Sequence, residues 1–242
     1  MAGHSKWAKL KHFKGALDAK KGKLFSKLAR ELMVAARTGG PDPDLNPRLR
    51  MVLLKCRAAN MPTENIERAI KKATGTDEAS QYEELTYEVF GPHGVAMLVE
   101  CSTDNRNRTS AEIRTLLSRN GGSLAAQGAV SRLFQRKGQI VVPREAADED
   151  QLMEVALEAG AEDFRAESDR FEILTSPADF EKVHQAIESK GIKCAVAEVT
   201  ELPVVTVPLR DAAAIEAVNR LVEALEDRDD VKEVYTNAEF PD

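Results

Sequence analysis

"QIVVPREAADEDQLMEVALEAGAEDFRAESDRFEILTSPADFEKVHQAIESKGIKCAVAEVTEL" (residues 139–202) decides the fold. "QIVVP" is a short apolar run closed by proline, which reads as a strand. "DEDQLMEVALEAG" carries apolar residues at helical spacing, with acids at the N-terminal end where the helix dipole favours them. "DFRAES" and "RFEILTS" read as strands. "PADFEKVHQAIESKG" reads as a helix, with Pro177 near its start and Gly191 at its stop. "KCAVAEVTEL" is a further strand. The order β-α-β-β-α-β is that of a ferredoxin-like sandwich.

The flanks of this segment need each other. After Pro203, "VVTVPL", a helix from Arg210 to Glu226 and the strand "VKEVYTN" have no local partners. Upstream, "LTYEVF" and "GVAMLVECS" form a hairpin about "GPHG". Thr109-Ser-Ala-Glu112 has the form of a capping box, followed by Ile113, Leu116 and Leu117 at helical spacing. Asn120-Gly121-Gly122 closes that helix, and "AVSRLFQ" reads as another strand. Joined, the two flanks make a second α/β sandwich with residues 138–202 inserted in it. Nearer the N-terminus, Leu24, Phe25, Leu28, Leu32 and Ala35/Ala36 line one helix, ended by Gly39-Gly40. Asn46 is an N-cap and Pro47 a first helical residue for the second, striped by Leu49, Val52, Leu53 and Cys56. Ile66, Ala69, Ile70 and Ala73 line a third. The expected fold is α+β. An N-terminal three-helix bundle (residues 1–78) precedes two ferredoxin-like α/β sandwiches, one (138–202) inserted in the other (79–137 plus 203–242).

Charge is distributed unevenly over these parts. The 242-residue chain carries a net charge of -6, yet residues 1–75 hold 17 Lys or Arg against 6 acids. Residues 138–202 hold 6 basic and 16 acidic side chains. A basic head on an acidic body points to a polyanion as partner for the head. Lys6, Lys9, Lys11, His12, Lys14, Lys20, Lys21 and Lys23 are its candidate phosphate contacts. A second cluster, residues 106–137, has seven basic side chains and one acid, Glu112. Arg106 and Arg108 there sit between a strand and a helix N-terminus, where guanidinium and backbone N–H groups can hold a phosphate together. The competing readings are a solvated lysine face and ion pairs with the protein's own acids.

Other function classes lack their motifs. There is no phosphate-binding GxxxxGK[ST] loop, no GxGxxG after a strand and no GxSxG elbow. His4, His12, His93 and His184 are scattered, and Cys56, Cys101 and Cys194 form no CxxC pair, so neither a metal site nor a cofactor is expected. The reading is of a non-enzymatic protein with no small-molecule substrate. No apolar run approaches the ~20 residues of a membrane span, and the N-terminus has no apolar core of a secretory signal. It is Lys-rich and punctuated by Gly15 and Gly22, unlike an Arg-rich transit peptide. A cytoplasmic location follows.

"MAGHSKWAKLKH", "NPRLR", "AANMPTENIERAIKKATG", "YEVFGPHGVAMLVECSTDNRNRT" and "RLFQRKG" resemble, in order, successive blocks of the YebC/PmpR family. The resemblance implies a three-domain α/β protein with an N-terminal helical bundle. It implies a nucleic-acid-binding regulator, either a DNA-binding transcriptional regulator or a ribosome-associated translation factor that relieves stalling on proline-rich stretches. The partner would then be DNA or ribosomal RNA. Three positions depart from the family's pattern: Lys9 for Asn, Phe13 for Arg and His93 for Gly. No helix offers an obvious base-reading set of Arg, Asn and Gln in a helix-turn-helix frame.

Overall fold

Asn46 shows how the first helices are tied together. Its side-chain Oδ1 accepts from the Leu49 N–H at 3.0 Å, while Nδ2 donates to the carbonyls of Ala35 at 2.9 Å and Gly40 at 2.8 Å. One buried amide thus starts one helix and satisfies carbonyls at the end of another. Gly39 is required beside it, because a Cβ there would lie 2.7 Å from the Asn46 side chain. The computed structural model describes residues 17–74 and 82–241. The three helices are α1 (Leu17–Gly39), α2 (Pro47–Ala58) and α3 (Thr63–Thr74). Leu28, Leu32, Ala35, Leu49, Val52, Cys56, Met61 and Ala69 form their core. Leu24, expected on the apolar stripe, is 41% exposed.

Two compact units follow from the contacts along the chain. Among the described residues, one holds 17–74, 82–131 and Leu209–Thr236, and the other Arg132–Pro208 with residues 237–241. In the first unit the hairpin is β1 (Glu83–Phe90) and β2 (Ala96–Thr103), with Val89 opposite Met97 and Phe90 opposite Ala96. His93 takes φ 58° in its turn, so the left-handed position is filled by an exposed imidazole, a residue type that tolerates it. Helix α4 (Arg106–Arg119) and the two-residue strand β3 (Ser123–Leu124) follow. Further along the chain, α7 (Ala212–Glu226) and β9 (Val231–Thr236) complete an antiparallel sheet of order β3-β1-β2-β9. Ile113 and Leu117 of α4 and Val218, Leu221, Val222 and Leu225 of α7 are buried.

The second unit contains β4 (Phe134–Pro143), α5 (Glu149–Ala159), β5 (Asp163–Ala166), β6 (Arg170–Thr175), α6 (Phe180–Ser189) and β7 (Val196–Pro203). Its strands pair antiparallel in the order β5-β6-β4-β7, the arrangement expected for β-α-β-β-α-β. Gly138 is packed so closely that a Cβ would lie 2.8 Å from Phe180.

Three local expectations are corrected. The strand read from "AVSRLFQ" begins only at Phe134 and continues into "QIVVP" as one ten-residue strand. The Glu88 carboxylate accepts from the N–H groups of Gly128 (2.6 Å), Val130 (2.5 Å) and Ser131 (2.9 Å), which holds those amides in a turn and away from a ladder. The capping box at Thr109 is not formed: α4 starts three residues earlier, capped by Asn105 Oδ1 accepting from Arg108 N–H at 3.0 Å. "VVTVPL" yields only β8 (Val207–Pro208), parallel to β10 (Ala238–Glu239), and does not extend the β1–β2 sheet.

Candidate nucleic-acid interface

The basic stripe of α1 arises from helical spacing. Lys23, Lys27 and Arg30 recur at intervals of four and three, so they project from one side of the helix. That side meets the turn between α7 and β9. Lys23 Nζ lies 2.5 Å from Asp227 Oδ1, Lys27 Nζ donates to the Glu226 carbonyl at 2.6 Å, and Arg30 Nη1 donates to the Asp229 carbonyl at 2.6 Å. A helix C-terminus carries partial negative charge on its free carbonyls, so cations are favoured there. Burial lowers the Lys27 pKa, against the opposing pull of Glu226, Glu233 and Asp229.

Asp230 is the hub of this contact. It is 8% exposed. Its Oδ2 accepts from Arg108 Nη2 at 2.8 Å, Thr109 Oγ1 at 2.7 Å and Thr103 Oγ1 at 3.1 Å. Its Oδ1 lies 3.5 Å from Arg30 Nη1, and its carbonyl accepts from Ser102 N–H at 2.8 Å. Burial alone would raise its pKa, but the hydrogen bonds from Arg108, Thr109 and Thr103 outweigh it and hold the carboxyl below its ordinary value. A second fastening joins α2 to the sheet: Glu84 receives Arg48 at 2.5 Å and Lys232 at 3.0 Å.

The candidate residues therefore fall into groups. Lys6, Lys9, Lys11, His12 and Lys14 lie outside the described residues, as do Trp7 and Phe13. Lys20 and Lys21 fall near the start of α1. Lys23 is engaged by Asp227, and Arg108 by Asp104 and Asp230, both at 2.8 Å. Arg106 is 68% exposed at its side chain and reaches Glu83 at 3.4 Å. Of the described candidates, Lys23, Arg106 and Arg108 each meet a carboxylate of the protein itself.

Other cations are differently placed. Arg57, Lys71, Lys72, Arg114 and Arg119 are exposed. Among the described residues, no three His, Cys, Asp or Glu side chains gather in a way that could hold a metal ion. None of the described helices is long and apolar enough to cross a membrane.

Comparison with known proteins decides the family. Residues 5–76 match the TACO1/YebC protein N-terminal domain, and residues 82–238 match the TACO1/YebC second and third domain. The chain belongs to the TACO1/YebC family. Among its relatives, a probable transcriptional regulatory protein of Desulforapulum autotrophicum is 53% identical over 242 residues, covering 100% of this chain and 98% of that protein. One of the same name from Pelotomaculum thermopropionicum is 51% identical, covering 100% of both chains. The crystal structure of a conserved hypothetical protein from Aquifex aeolicus matches with a TM-score of 0.85 at 47% identity, covering 98% of each chain. This TACO1/YebC protein thus shares a regulatory family and its α+β architecture, with an N-terminal domain followed by a two-domain region.

Sequence reading missed two features of the site. Asp230 reads as part of an ordinary surface acid pair, yet it binds partners up to 200 positions away. No local signal in the sequence identifies it. Arg114 and Arg119 belong to the second cluster by composition, but nothing in their spacing separates them from Arg108.

Proposed function

We propose that this TACO1/YebC protein is a non-enzymatic, nucleic-acid-binding regulator of transcription acting in the cytoplasm. The observation that carries the reading is the excess of 17 basic over 6 acidic side chains in residues 1–75 of an otherwise acidic chain. Lys6, Lys9, Lys11, His12, Lys14, Lys20 and Lys21 make the phosphate contacts in this reading, and exposed Arg106 adds to them. Lys23 and Arg108 fasten α1 and α4 to the acidic turn. Contacts to phosphate fix position on the duplex and carry little sequence information, which fits the lack of a base-reading helix.

The test is the salt dependence of binding to duplex DNA. If about six phosphates are neutralised, log K falls with log salt at a slope of roughly -5. Replacing Lys6, Lys9, Lys11 and Lys14 together by Ala takes about 3–4 off that slope. Binding that ignores salt overturns the reading. The same absence of base-reading residues favours a second reading, docking on ribosomal RNA through shape and backbone. Co-sedimentation with ribosomes, lost in the quadruple Ala variant, together with no protection of promoter DNA, selects it.

A further inference from the structure

Helix α4 divides into two halves with opposite electrostatic surroundings. In its first turn Arg106 faces Glu83, and Arg108 is bound by Asp104 and Asp230. Beyond Glu112, which pairs with Arg228 at 3.3 Å, the chain has no acid until Glu145. Arg114 and Arg119 lie in this acid-free stretch, exposed and without an ion pair among the described residues.

Arg114 borders a concavity. A groove of about 500 Å³ runs between α4 and β3, lined by Arg114, Leu117, Ser118, Gly122, Ser123 and Leu124. Arg114 and Ser118 are four residues apart and share one face of the helix. Ser123 lies on β3, which is at the edge of its sheet and pairs only with β1. The wall between them is thin by necessity: a Cβ on Gly122 would lie 3.1 Å from both Leu117 and the Phe90 carbonyl. Leu117 and Leu124 supply an apolar floor, with a guanidinium and two hydroxyls on the rims.

We propose that this groove is a second phosphodiester-binding surface, separate from the N-terminal lysines, in which Arg114 grips the phosphate, Ser118 and Ser123 donate to it, and exposed Arg119 at the end of α4 adds positive charge outside the groove. The inference rests on the nucleic-acid reading above. The chemistry favours a polyanion over a peptide strand. A two-residue edge offers too short a ladder for strand addition, whereas an unpaired Arg with adjacent hydroxyl donors suits phosphate.

The test uses the full-length protein and a fluorescein-labelled 30-base-pair duplex, followed by anisotropy across a salt series. The variants are Arg114→Ala with Arg119→Ala, Ser118→Ala with Ser123→Ala, and, as control, Arg68→Ala, whose exposed side chain pairs with Glu64 on α3. The arginine pair is expected to weaken binding severalfold and to reduce the salt slope by about 2, one unit per lost phosphate contact. The serine pair weakens binding with little change in slope, since it removes donors and no charge. Arg68→Ala changes neither. Wild-type affinity and slope in the arginine variant, with wild-type protein binding normally, overturn the groove and leave the general reading intact. Wild-type protein that shows no salt-sensitive binding overturns both.

Discussion

The acidic turn at residues 226–230 and the groove between α4 and β3 treat arginine in opposite ways. At the turn, Arg30 and Arg108 meet a buried carboxylate, so their charge holds elements together. Arg114 at the groove and Arg119 further along α4 are exposed and make no ion pair among the described residues. A cation neutralised at short range cannot offer its full charge to an outside polyanion, whereas an unpaired one can. The contrast separates positive charge used for folding from positive charge left to solvent, within one fourteen-residue helix.

That contrast can be broken first at Asp230. Asp230→Asn leaves the half-exposed Arg108 and the largely buried Arg30 facing a neutral amide, which is expected to destabilise the chain by about 2 kcal/mol in urea unfolding. A loss below about 1 kcal/mol would mean that the turn does not hold the first unit together. Next comes acid sensitivity. The folded state keeps the Asp230 proton off more readily than the unfolded chain does. Its contribution is therefore complete above about pH 4, the ordinary carboxylate range, and is lost progressively as pH falls below that. Glu84 acts in the same direction, since its hydrogen bonds and charges from Arg48 and Lys232 outweigh burial. The stability-versus-pH curve of Asp230→Asn should be flatter on its acid side than that of wild type; parallel curves would assign the acid sensitivity elsewhere.

Smaller effects sharpen the distinction. Lys23→Ala removes a half-exposed pair with Asp227, whose side chains are 49% and 60% exposed. Solvent screens such a pair, and a loss of no more than about 0.5 kcal/mol is expected in the same urea titration. Arg114→Ala should change stability least, by less than about 0.5 kcal/mol, because its side chain is exposed and holds no carboxylate. A large loss there would place it with the folding arginines.

The two units also differ in how far their sequences announce them. The β-α-β-β-α-β of the second unit has more local steps: α5 packs on β5, β5 pairs with the next strand β6, and α6 packs on β7, so period and turn residues suffice to read its order. Asn46, Pro47 and Gly40 likewise mark helix ends by chemistry confined to a few residues. In the first unit, β9 pairs with β2 across more than a hundred intervening positions, with Val99 opposite Val234. Its membership could be inferred from its lack of a local partner. The turn at 128–131 could not, because the Glu88 carboxylate that holds it is some forty residues away.

Sequence alone determined most of the helices and strands, the glycine helix stops, the ferredoxin-like order and the imbalance of charge between head and body. These depend on spacing, side-chain shape and composition, all of which are properties of neighbouring residues. Tertiary structure alone decided which charges are cancelled. Coulombic attraction and hydrogen bonding act over a few ångströms of space, so Asp230 and Arg30, 200 positions apart in the chain, neutralise one another. Arg114, six residues from Arg108 on the same helix, is left to solvent because no carboxylate is folded against it.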